Sequence, residues 1–148
     1  MIGYKSRQSL TWPVGVTADD LAATGDAAHY WDVVAPIAVV RIGAVITTVC
    51  VSSAAIVVAA DRRILTASDT GRVNGLDSGG TGVLTIAATA AAGKVYYQDF
   101  TPGVDLDPGD QIIFEVTTAA TTSGAARYFV DFIDRDEVPA NLSDMVSV

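Results

Sequence analysis

One cysteine and one histidine in 148 residues leave little room for side-chain chemistry. Cys50 has no partner for an intramolecular disulfide and, set in an apolar stretch, reads as a small buried hydrophobe. A nucleophile built from Cys50 and His29 would have to be assembled by the fold, since no Gly-x-Ser-x-Gly elbow is present. A closed zinc site wants four N or S ligands, and the chain offers at most two beside its carboxylates. These shortages point away from an enzyme and from a resident cofactor.

Positive charge is also scarce. Nine Lys and Arg against seventeen Asp and Glu give a net charge of −8, which repels phosphate backbones and anionic lipid headgroups. Neither nucleic acid nor a membrane surface is an expected partner. The N-terminal MIGYKSRQSLTW has two positive charges but no apolar run of signal-peptide length behind them, so no Sec-type export signal is expected.

One uncharged run, IGAVITTVCVSSAAIVVAA at 42–60, has the length of a bilayer span. It lacks Leu, Phe, Met and Trp, and ten of its nineteen residues are Val, Ile or Thr, whose stiff side chains suit a pleated strand. Ser52, Ser53, Ala54 and Ala55 interrupt it as a reversal would, and no Trp or Tyr flanks it to form an interfacial belt. The run therefore predicts two strands rather than a membrane helix.

From Pro36 onward the pattern is of strands alone: 37–51, 56–60, RVNGL with its Asn74-Gly75 turn pair, GVLTIAA, KVYYQDF, QIIFEVTT and ARYFVDFID. Turn-rich segments such as DSGGTG, TPGVDLDPGD and TTSGAA separate them, and no helical period intervenes. This predicts an all-β fold, an antiparallel β-sandwich or jelly roll, spanning 36–134. Alternation turns Ile112, Phe114, Val116 and Thr118, and likewise Tyr128, Val130 and Phe132, toward the core. The strand at 39–51 is apolar on both faces, Val40, Ile42, Ala44 and Ile46 on one and Val45, Val49 and Val51 on the other. Its second face needs a cover, either the N-terminal segment or an identical subunit, and the second is favoured.

Residues 1–35 are polar and broken by Pro13, Gly15 and Gly25, which predicts an extended N-terminal arm with one short helix over TADDLAA, capped by Thr17. The arm carries Trp12 and ends in His29, Tyr30 and Trp31, an aromatic group suited to covering a core edge or anchoring a partner. At the other end, 135–148 forms a C-terminal tail in which Val138, Leu142, Met145 and Val148 could lie across a neighbour. Asn141-Leu142-Ser143 has the form of a glycosylation acceptor, without meaning in the absence of export. Within DLDPGD, Asp105, Asp107 and Asp110 offer three carboxylates of the kind calcium takes, although the plainer reading is a Pro-Gly turn ahead of a strand.

In style, 37–134, with VDLDPGDQIIFEVTTAATTSGAARYFVDF at its end, resembles the jelly-roll structural proteins of tailed-bacteriophage virions, especially capsid decoration (cement) proteins. The resemblance carries no residue-level motif. It implies a small non-enzymatic protein, commonly a homotrimer, made in the host cytoplasm and placed on the capsid exterior, where it clamps neighbouring major capsid subunits. On that expectation Trp12, His29, Tyr30 and Trp31 become capsid-contacting residues of the arm, and Val45, Val49 and Val51 the oligomer interface. The alternative is a tail-associated receptor-binding or carbohydrate-binding module, for which Trp12, Trp31, Tyr96 and Tyr97 are the available aromatic platforms.

Overall fold

A computed structural model describes residues 6–64, 72–77 and 79–135. Ten strands form two antiparallel sheets, and the described residues contain no helix. Sheet I holds β1 (Gln8–Thr11) and β2 (Asp19–Asp20), both beside β10 (Ser123–Asp134), then β4 (Ile37–Val51) and β8 (Val95–Leu106). Sheet II runs from β3 (Gly25–Asp32) through β9 (Asp110–Thr118) to β5 (Ile56–Ile64), which is edged by β6 (Arg72–Val73) and β7 (Val83–Ile86). Counting β1 and β2 as one interrupted strand, the orders β1-β10-β4-β8 and β3-β9-β5-β7, with the chain crossing between sheets at every step except from β5 through β6 to β7, are the connectivity of a jelly roll.

The uncharged run resolves as expected into the end of β4, a reversal at 52–55 and the start of β5. No helix among the described residues is long and apolar enough to cross a membrane.

The core lies between the sheets. Ile42, Ala44 and Ile46 of β4 and Val130 of β10 meet Ile56, Val58 and Ala60 of β5 and Ile112, Phe114 and Val116 of β9, all buried. Phe114 stacks on Tyr128 from the opposite sheet, with ring centroids 4.3 Å apart and planes 2° from parallel. Thr118, expected inward, is exposed where β9 ends, and Phe132 is only partly buried. β4 changes face partway along. Val39 pairs with Phe132 and Arg41 with Asp131, so Val40 is the extra residue of a bulge that returns Ile42 to the core.

Three sequence expectations require correction. The segment 1–35 is not a free arm from Gln8 onward, because β1 and β2 pair with β10, and β3 pairs with β9. Its polar look comes from alternation: Asp26, Ala28, Tyr30 and Asp32 face outward while Ala27 and Trp31 are buried. The sandwich thus begins at residue 8 rather than 36. The short helix is absent too. Asp19 and Asp20 pair with Ala126 and Ala125, Leu21 is fully buried, and the Asp20 carboxylate accepts the Ala22 amide in a tight turn. Finally, 101–106 of the expected loop TPGVDLDPGD continues β8 to Leu106. The tail residues Val138, Asn141, Leu142, Met145 and Val148 lie outside the described residues.

Candidate functional site: the outer face of sheet I

Three cross-strand rows define the outer face of sheet I. Val95 pairs with Val45, which pairs with Arg127; Tyr97 with Gly43, then Phe129, then Thr11; Asp99 with Arg41, then Asp131, then Ser9. The first two rows are apolar except at their ends, exposed Arg127 and Thr11, and the third is a charged border. Arg41 reaches both Asp99 oxygens while its guanidinium carbon lies 4.1 Å above the Tyr97 ring centroid. The Arg41 hydrogen bond holds the Asp99 carboxyl below the usual carboxylate range. Arg7 caps Asp131 at 2.7 Å.

Of the expected interface residues, Val45 is half-buried in the first of these rows and lines a shallow groove of about 480 Å³ with Val95, Arg127 and Phe129. Val49 (49% exposed) and Val51 (47%) lie further along β4, past its last pairing with β8 and beyond exposed Thr47 and Thr48, on the face opposite buried Cys50. Val95 and Tyr97 are 45% and 56% exposed. Among the described residues, the N-terminal segment does not cover this face, since β1 lies beside β10 in the same sheet.

The aromatic residues expected on a capsid-binding arm separate into two groups. Trp12 and Trp31 are buried, edge-on to one another at 6.0 Å, and belong to the core cluster with Phe114 and Tyr128. They are not surface contacts, and neither is a sugar platform; tertiary packing claims their large apolar area. The His29 ring stands edge-on to both tryptophans, and its buried Nε2 has no hydrogen-bond partner. Tyr30 alone faces outward. The same cluster holds a polar contact between Tyr128, whose hydroxyl donates to Asp19, and β2. Burial pushes the Asp19 carboxyl up, although the Tyr128 bond pulls the other way, and burial raises the Tyr128 phenol too.

The three carboxylates at the DLDPGD turn do not converge on a cation. Asp107 pairs with Arg135 at 2.6 Å, Asp105 lies 3.6 Å from the same guanidinium, and buried Asp110 accepts the Asp107 amide to close the turn. Among the described residues, no group of three or more His, Cys, Asp or Glu is placed to hold a metal ion. Arg135 also donates to the Ile37 and Leu106 carbonyls, tying the end of β10 to β4 and β8. Cys50 is buried, and burial raises its thiol pKa, as suits a packing residue.

Sequence reasoning missed an ionic node on the outer face of sheet II. Arg72 bonds Asp26, Asp61 and Glu115 at 2.8, 2.8 and 3.1 Å. Asp61 is only 3% exposed, and its second oxygen accepts the Gly75 amide. The Arg72 hydrogen bond holds Asp26 down, whereas burial raises Glu115. The partners stand 46, 11 and 43 residues from Arg72, so no local spacing announces the node.

No protein-family model matches the chain, nor does any curated protein or solved structure.

Proposed function

We propose that this chain is a non-enzymatic structural protein of a bacteriophage virion, a decoration protein that self-associates as a homotrimer and binds the exterior of the capsid against neighbouring major capsid subunits. The observation that carries this reading is the apolar stripe of Val45, Val49, Val51, Val95 and Tyr97 on one outer sheet face, bordered by the Arg41–Asp99 and Arg7–Asp131 ion pairs. An apolar centre with a charged rim is the anatomy of a protein interface. Repetition around a symmetry axis lets modest contacts add up, as a clamp on a repetitive shell requires. The jelly roll supports the role without specifying it, because the same sandwich hosts many functions.

Light scattering on the purified chain is the first test, with a trimer mass expected and a stable monomer counting against self-association through this face. Co-sedimentation with assembled phage shells is the second. Binding that saturates at a fixed ratio to capsid subunits is expected, and a chain that stays in the supernatant at every shell concentration sinks the decoration reading.

A further inference from the structure

Edge strand β8 of sheet I and the residues around Asp77 and Thr81, between β6 and β7 of sheet II, enclose a cleft of about 610 Å³, within the range of small-molecule sites. Arg62, Asp77, Thr81, Asp99, Pro102 and Asp105 line it. Neither feature of the assembly reading accounts for it.

Both walls are built by specific contacts. On the β8 side, the ladder advances five residues from Asp99 to Val104 while β4 advances two, from Arg41 to Val39. The surplus bulges out of the sheet, and bulges of this kind re-aim side chains near sites. Gly103 allows the return to the ladder, since a Cβ there would stand 3.1 Å from the Val39 carbonyl oxygen. On the opposite side Asp61 accepts the Gly75 amide at 2.8 Å, and Asp77 accepts the Thr81 hydroxyl at 2.8 Å and the Gly79 amide at 3.0 Å. The Thr81 hydrogen bond holds the Asp77 carboxyl below its ordinary value, so it stays an acceptor.

Arg62 enters the cleft from β5. Ile56, Val58 and Ala60 point into the sandwich, and Arg62 continues that face one step beyond the apolar core. Its Nε is buried and has no hydrogen-bond partner. None of the three lining carboxylates pairs with it: Asp99 is held by Arg41, Asp105 faces Arg135, and Asp77 is bonded within its own loop.

The lining selects a chemistry. Arg62 brings guanidinium donors to the cleft, while exposed Asp77 and Asp105 keep oxygen lone pairs that can accept further hydrogen bonds. Three carboxylates on a chain of net charge −8 repel an anion. A hydroxyl accepts and donates at once, a ring bearing several hydroxyls does both in adjacent directions, and the Pro102 and Val104 side chains offer apolar surface to its C–H face. We propose that the cleft between the β8 bulge and the Asp77–Thr81 hydrogen-bonded pair binds a neutral saccharide, Arg62 donating to ring hydroxyls and Asp77 and Asp105 accepting from them. The cleft shares Asp99 with the border of the assembly face, and the saccharide is expected to bind whether or not the chain trimerises or meets a capsid.

The test is an amide NMR titration of the full chain with glucose, galactose, mannose, N-acetylglucosamine and their β-linked disaccharides at millimolar concentration, beside a parallel titration with inorganic phosphate. At least one saccharide is expected to give saturable shifts centred on residues 62, 77, 81 and 99–105. Arg62→Met weakens that binding at least about tenfold, and so does Asp105→Asn, a rim change at a side chain 65% exposed that leaves the core untouched. No saturable response to any saccharide, shifts centred elsewhere, a response to phosphate alone, or unchanged affinity in both variants overturns the proposal.

Discussion

Phe129 lies over Gly43 on the outer face of sheet I, in a cross-strand pair where a β-carbon on the glycine would stand 2.1 Å from the phenyl Cζ. An aromatic covering a strand glycine replaces the packing that the missing side chain would give. The arrangement also flattens the centre of the proposed assembly face.

Gly43→Ala should therefore lift Phe129 toward solvent. Overpacking in well-filled sites costs about 1–3 kcal/mol, and the lower end is expected here because the ring can swing outward. Urea unfolding gives the stability loss, and light scattering should show weakened self-association. Unchanged trimer mass and midpoint would mean that this face is tolerant and not an interface.

Val95→Asp and Val49→Asp place charge on half-exposed positions of the same face. Each should change monomer stability by no more than about 0.5 kcal/mol while dissociating the proposed trimer. Circular dichroism and mass measured together separate the two effects. A trimer that survives both substitutions rules out the apolar stripe as its contact.

Removing the Arg72 guanidinium strands Asp61, which is buried among groups it cannot leave. Arg72→Gln should destabilise the chain by about 3 kcal/mol, mostly through Asp61, since Asp26 and Glu115 are more exposed and better screened. The acid limb supplies a further check. Asp26 is held below 3.8 by Arg72, so its contribution is present above that value and lost as pH falls through the depressed one. The variant should show less of this loss in acid unfolding curves.

Asp19 behaves in the opposite sense. Its carboxyl is raised above 3.8, so its stabilising contribution is complete below 3.8 and declines as pH rises through the raised value. Asp19→Asn, which mimics the protonated form, should gain on the native chain at neutral pH and lose that advantage on acidification. Tyr128→Phe removes the donor that eases the charge and should cost about 1–3 kcal/mol at neutral pH. Parallel curves for native chain and Asp19→Asn between pH 3 and 7 would contradict this account.

What could be read in advance was whatever sequence neighbours decide. The β-branched composition and the break at Ser52 marked β4 and β5, and the alternation through Ile112, Phe114 and Val116 marked the buried face of β9. Trp12 and Trp31 were misplaced because a polar, glycine-broken segment looks the same whether it is an arm or an edge strand. Only pairing with β9 and β10 distinguishes them. The bulge at Val40 was invisible for the same reason, since it exists only relative to Phe132 and Asp131 on another strand. Arg72 and Arg62 gave no signal, because their surroundings come from distant elements.

The position of β10 between β1 and β4 has a consequence for synthesis. Of the described strands the ribosome emits β1 first and β10 last, so sheet I stays divided until residues 123–134 have emerged. Until then β4 lacks its partner on that side, and the nascent chain carries a long, sticky, unpaired edge. The final strand is thus a closing wedge, and truncation before residue 123 should yield an aggregating chain rather than a smaller domain.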